Sequence, residues 1–233
     1  MSANAEALPR SEVISSPKSE ASHPHVDAAG ETSKWNPESF GREQIRGLVR
    51  RIFLTNGSPP VKQVVFSAAE PQLDVADICD RVGLALALET SSRVALVQLE
   101  RPMEEDTISG CHSTDPSIKS ESAQVAKNLW RVAKGNFGEC GKRSTGADWL
   151  SYLAKLGSEF EHVVIHGPEA VSSEAALLGQ ITDGIVLVLR AHTTRKAPAR
   201  KIKESLEAAH SRILGTVLSE RRFPIPEKIY RRL

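Results

Sequence analysis

The sequence alternates between two patterns, and that alternation limits the fold more than any single motif. Short apolar runs with almost no polar interruption occur at Gln63–Phe66, Val94–Leu99, His162–Ile165, Gly184–Leu189 and Ile213–Leu218. A further strand candidate is Asn128–Ala133. Between them lie stretches of helical period at Asp74–Thr90, Ala147–Gly157, Ser172–Gln180 and Lys196–Ala209. A strand that is apolar at consecutive positions must be covered on both faces, and only flanking helices do that for a parallel sheet. The pattern therefore predicts an α/β fold: a three-layer, doubly wound, mostly parallel sheet. Residues 101–126 are small, polar and charged and read as a loop.

Ahead of the first strand, Asn36-Pro37-Glu38 reads as a helix start, with Asn36 as the cap and Pro37 in the first turn. Phe40, Ile45, Leu48, Val49, Ile52 and Phe53 recur at helical spacing, and Thr55–Pro60 ends the helix. Residues 1–36 are rich in Ser, Ala, Glu, Pro and His and hold almost no large apolar groups. Such a segment cannot offset its ordering entropy by burial, so it is expected to be a disordered tail before a folded domain spanning 37–233. His23 and His25 in that tail are read as tail residues, being too few for a metal site.

Charge enters the argument through its distribution. The chain carries 30 Lys+Arg against 29 Asp+Glu, a formal net charge of +1. Residues 1–38 hold three basic and six acidic groups, residues 39–189 hold 15 and 19, and residues 190–233 hold 12 and 4. The neutral total hides a basic final segment containing Arg195, Lys196 and Arg200. The three Cys have no CxxC spacing, which argues against a zinc site and against a disulfide framework. No apolar run approaches the ~18–20 residues of a membrane span, and the first residues lack the apolar stretch of a signal peptide. The expected location is the cytoplasm.

In doubly wound sheets, ligands bind at the C-terminal ends of the strands. After the first strand comes Ser67-Ala68-Ala69-Glu70-Pro71-Gln72-Leu73-Asp74-Val75-Ala76, leading into a helix. That is the place for a phosphate-binding loop. Such a loop needs glycines so that backbone N–H groups can wrap the phosphates, a Lys to neutralise charge, and a Ser or Thr for magnesium. No Gly or Lys lies between Ser67 and Ala76, and Glu70 and Asp74 add negative charge.

The layout over residues 38–233 resembles the cytoplasmic tyrosine autokinase domain of bacterial capsule and exopolysaccharide systems, within the deviant-Walker P-loop group that includes ParA and MinD. Against the family loop S-x-x-x-x-G-x-G-K-[ST], Ser67 is retained. Gln72, Asp74, Val75 and Ala76 fall at the Gly, Gly, Lys and Ser/Thr positions. The family's Asp-x-Asp at the end of the next strand corresponds to Gln98 and Glu100. The Asp that ends its F-D-x-V-I-x-D-x-P-P strand corresponds to His166, within Phe160-Glu161-His162-Val163-Val164-Ile165-His166-Gly167-Pro168-Glu169. Ala175–Leu178, Thr182–Val188, Thr193–Lys196 and Ile213–Leu218 follow the family's closing pattern. Residues 221–230, Arg-Arg-Phe-Pro-Ile-Pro-Glu-Lys-Ile-Tyr, resemble the tails of small diverged members.

The resemblance implies a P-loop NTPase-like domain whose intact members use ATP and magnesium. The substitutions imply one that uses neither: no catalytic residue, no cofactor and no metal are expected. The expected role is a non-catalytic regulator or assembly partner in exopolysaccharide or capsule biosynthesis and export. Its partners would be a membrane polysaccharide co-polymerase or an active tyrosine kinase, recruiting it to the inner membrane face. The resembled kinases form rings through an E-x-x-R-x-x-R helix; here Glu43, Arg46 and Arg50 stand with a longer second spacing, so a homo-oligomer is one reading and a solvated face the other. Arg195, Lys196 and Arg200 are likewise either a partner surface or a solvated helix face. Two alternatives stand beside this reading: an active ATP-dependent tyrosine autokinase with an atypical loop, and a ParA-like positioning protein that binds DNA or membrane. Nucleic acid is not the expected partner, because few aromatics are present for stacking.

Overall fold

The computed structural model describes residues 36–55, 59–99, 122–132 and 145–220. The predicted tail (apart from Asn36), Glu100 and the likeness at 221–230 lie outside the described residues. Among the described residues, seven strands form one sheet: β1 (Gln63–Ala68), β2 (Val94–Gln98), β3 (Ser122–Ala126), β4 (Leu129–Val132), β5 (His162–His166), β6 (Gly184–Arg190) and β7 (Ile213–Ser219). Their order across the sheet is β3-β4-β2-β5-β1-β6-β7. Every neighbouring pair is parallel except the β3–β4 hairpin. The doubly wound α/β architecture read from the apolar runs is the one observed.

Among the described residues, five helices cover the two faces: α1 (Pro37–Phe53), α2 (Ala76–Thr90), α3 (Gly146–Glu159), α4 (Ser173–Ile181) and α5 (Lys196–Ala208). Side chains of alternate strand positions enter opposite cores. Val64, Phe66, Val164, Val186 and Val188 pack with Val49 and Phe53 of α1 and Ile78, Val82 and Leu86 of α2. Val65, Val163, Ile165, Ile185 and Leu187 pack with Trp149 and Leu156 of α3, Leu178 of α4 and Leu206 of α5. Full burial of one such aliphatic or aromatic side chain contributes about 1.5–3 kcal/mol. The two cores thus hold the sheet from both sides.

Local chemistry sets the helix starts. The Asn36 side chain accepts a hydrogen bond from the Glu38 N–H at 2.9 Å, and Pro37 opens α1 as its sequence implies. Thr145 and Asp148 form a reciprocal capping box at α3, and that hydrogen bonding holds the Asp148 carboxyl below its ordinary pKa. Gly184 opens β6 with φ +152°, and a Cβ there would lie 2.6 Å from the Arg212 carbonyl oxygen. Only glycine fits that approach.

Two expectations need correction. Residues 122–126 were read as loop but form β3, at the sheet edge. Its side chains are largely exposed, so it lacks the apolar run that marks the central strands. The helix read from Asp74 begins at Ala76, and Asp74 does different work, described below.

Candidate functional site

The C-terminal ends of β1, β2, β5 and β6 meet where a doubly wound sheet places its ligand crevice. The β1–α2 segment runs through it and is tied down at successive points. Ser67 is fully buried, and its Oγ donates to the Pro168 carbonyl. The Ala69 N–H donates to Val188 at 2.9 Å, and the Ala170 N–H donates back to Ala68 at 2.8 Å. Leu73 is 7% exposed and Val75 is 1% exposed, both within the α1–α2 core. Val75 therefore sends its side chain into packed hydrocarbon at the position aligned with the family's Lys.

Backbone and charge complete the segment. Gln72 is left-handed, with φ +63°. Its carbonyl accepts from Arg190 Nη2 at 3.1 Å, and the same guanidinium pairs with Glu220 at 3.0 Å. Arg190 at the end of β6 thus spans from the loop to the end of β7. Asp74 Oδ1 accepts a hydrogen bond from the Asp77 N–H at 3.2 Å. That N–H is one of the orphan donors of the α2 N-terminus, the group that attracts anions. The chain's own carboxylate occupies it. Asp77 in turn pairs with Arg81 at 2.9 Å. Glu70 is half-buried, and Ala76, the first residue of α2, presents only a methyl group. One turn further on, burial pushes the Cys79 thiol well above its ordinary pKa, with Asp80 and Asp74 adding to the rise.

At the neighbouring strand ends, Gln98 of β2 stands in register with His166 of β5. Both are half-buried, and the Leu99 N–H donates to the His166 carbonyl at 3.1 Å. An amide and an imidazole therefore sit together where the resemblance implies carboxylates.

The residues read as partner-binding divide between two places. Arg50 grips Glu89 of α2 at 3.2 Å, and Arg46 reaches the same carboxylate at 3.7 Å while lying 3.8 Å from Glu43. Glu43 lines a groove of about 1950 Å³ together with Lys196 and Arg200, and the groove extends to Asp74, Asp77 and Arg190. Arg195 is the residue before α5, exposed, with no side-chain cap. Arg200 pairs with Glu204 at 2.8 Å on its own helix. Such exposed pairs contribute about 0–1 kcal/mol each. The sequence reading missed Glu89 and Glu220, and it took Arg190 only as part of the basic final segment, not as a partner of the loop. No local signal could reveal them, because Arg50 and Glu89 are 39 residues apart and Arg190 and Gln72 are 118 apart.

Among the described residues, no group of three or more His, Cys, Asp or Glu could hold a metal ion, and no helix is long and apolar enough to cross a membrane.

No protein-family model matches the chain. In sequence it is similar to the tyrosine-protein kinase YwqD of Bacillus subtilis, 24% identical over 199 residues that cover 78% of this chain and 82% of that protein. In structure it is similar to the kinase domain of the Escherichia coli tyrosine kinase ETK, with a TM-score of 0.62 and 15% identity over 79% of each chain. It is also similar to the cell division protein MinD of Aquifex aeolicus, with a TM-score of 0.52 and 11% identity over 68% of this chain and 69% of that one. The structural likenesses establish a fold shared with bacterial tyrosine kinase domains and MinD. The resemblance to such kinases is present in sequence and structure alike.

Proposed function

We propose that this chain is a non-catalytic, kinase-like partner protein in the assembly or export of a bacterial extracellular polysaccharide. It would work at the inner membrane face by docking on a polysaccharide co-polymerase or on an active tyrosine kinase. The observation that carries the reading is Asp74 on the N-terminus of α2. A phosphate placed there would meet that carboxylate and Asp77 beside it. Two like charges about 4 Å apart repel by about 4 kcal/mol at an effective dielectric of 20.

The neighbouring residues support the same conclusion. Val75 is held in the core and no Lys stands in the loop to offset phosphate charge. Ala76 offers no hydroxyl, and Gln98 and His166 offer no carboxylate. Phosphoryl transfer depends on positioning and on charge stabilisation by such groups. Loss of a single electrostatic donor in an active site typically costs about 2.7–4 kcal/mol. Apart from Glu100, which lies outside the described residues, the groups at these positions do not fit a magnesium nucleotide, and what remains is a folded surface.

The test is affinity capture of the tagged chain from its own host, with and without ATP. Recovery of a polysaccharide co-polymerase or tyrosine kinase independent of ATP is the expected result. Capture of neither, together with unchanged polysaccharide in a deletion strain, would overturn the reading.

A further inference from the structure

His162 opens β5, at the end of the sheet away from the crevice. It is 8% exposed, and its Nδ1 is buried with no hydrogen-bond partner among the described residues. Its backbone is fixed. The N–H donates to the Arg93 carbonyl at 3.3 Å, and the next residue, Val163, is fully buried and pairs in register with Gln63 and Ala95. Val163 lies in the α3–α5 core, so alternation along β5 turns the His162 ring toward α1 and α2. There it meets the Phe53 ring, with centroids 5.6 Å apart and planes at 81°.

Phe53 is the last residue of α1. Among the described residues of that helix, only Val49 and Phe53 are buried. Arg46 and Arg50 add ties to Glu89 of α2, but both arginines are more than half exposed, and such pairs are weak. The last turn of α1 thus depends on the Phe53 ring to stay on the sheet.

We propose that Phe53 and His162 form a pH-sensitive latch, in which protonation of the imidazole releases the last turn of α1 while the sheet stays folded. A neutral ring can keep its proton on Nε2 and leave Nδ1 a bare acceptor. The imidazolium donates from both nitrogens. Its Nδ1–H would be a buried donor without an acceptor, carried on a charge taken out of water. The strand backbone cannot yield, so the adjustable part of the contact is the helix end. Release of Arg50–Phe53 would also take Arg50 off Glu89.

The charges around the ring are few. Burial lowers the imidazole pKa most, Glu161 ahead of β5 raises it, and Lys62 ahead of β1 lowers it again. Glu89 of α2 is taken by Arg46 and Arg50, and Arg51 lines the groove. Arg93, ahead of β2, stacks over Trp130 and Phe160 of the opposite core. The open form, with the ring in water, binds the proton more readily. Opening therefore rises as pH falls through the ordinary 6.5.

Hydrogen exchange of the full chain at pH 7.5 and 5.5, with each rate divided by the intrinsic rate at that pH, tests this. Protection of the Phe53 and Leu54 amides is expected to fall about threefold or more at the lower pH. The fall is the same with and without about 1 M urea, the mark of a local opening, whereas the β1 amides lose protection in urea as global unfolding requires. His162→Gln and His162→Phe cannot titrate and show equal α1 protection at the two pH values. They differ in shape, so a folding defect in one leaves the other to decide. Equal wild-type protection at both pH values overturns the proposal. So does an acid loss in α1 that grows with urea in step with β1, or one that persists in the folded variants.

Discussion

Replacing Val75 by lysine restores the charge that the kinase loop carries at this position, and the structure predicts that the protein will not tolerate it. Val75 is 1% exposed and packs in the core with Leu73, Ile78 and Val82. Val75→Ala is the baseline. It removes two methyl groups, about 1.6 kcal/mol of transfer free energy at ~0.8 kcal/mol per group, with a cavity term on top. Val75→Lys loses the same packing and must also desolvate an ammonium or pull the start of α2 away to reach water. The expected cost is about 3–4 kcal/mol. For a domain of this size, each kcal/mol lowers Tm by roughly 2–4 °C, so Tm falls by roughly 6–16 °C. Urea unfolding followed by the fluorescence of buried Trp149, with calorimetry alongside, measures it. The reasoning fails if Val75→Lys is as stable as the wild type or milder than Val75→Ala. Either result would mean that the side chain at this position leaves the core for an open phosphate site.

Three further outcomes follow from the same structure. Asp74→Ala removes the carboxylate from the α2 N-terminus and lowers stability by about 1 kcal/mol, measurable in urea, whereas Asp74→Asn retains an acceptor and loses less. His162 is buried against Phe53, and burial followed by Lys62 lowers its pKa below the ordinary 6.5 despite an opposing effect from Glu161. The unfolded chain then binds the proton more readily, so stability is full above pH 6.5 and falls as pH drops below it toward the folded pKa. Unfolding series between pH 7.5 and 5 show that slope in the wild type and less of it in His162→Phe; parallel slopes would refute the assignment. Cys79 is buried with a raised thiol pKa, so peptide mapping after brief alkylation finds it unmodified in the native protein and modified in urea.

What could be read from the sequence depended on whether the signal was local. β6 was legible because Ile185 to Leu189 is apolar without interruption, and the structure buries most of it. The start of α1 was legible because Asn36 and Pro37 act within one turn. β3 was missed because Ser122–Ala126 sits at an exposed edge and needs no apolar run. Its only cue was Asn128, left-handed with φ +62° in the turn to β4, a conformation Asn tolerates better than most residues.

The candidate site divided in the same way. The sequence showed which groups the loop lacks. It did not show that Asp74 turns back onto α2 or that Val75 turns into the core, because both depend on how the loop folds against the sheet. Arg46 and Arg50 were legible as a helix face, but their shared partner Glu89 arrives from the next helix.

The central claim is that this crevice no longer takes a magnesium nucleotide. Isothermal titration of the full chain with ATP and magnesium at millimolar concentration tests it most directly. The account predicts no saturable heat, and the same trace when magnesium is omitted. A saturable, magnesium-dependent isotherm with a Kd below 1 mM would contradict it.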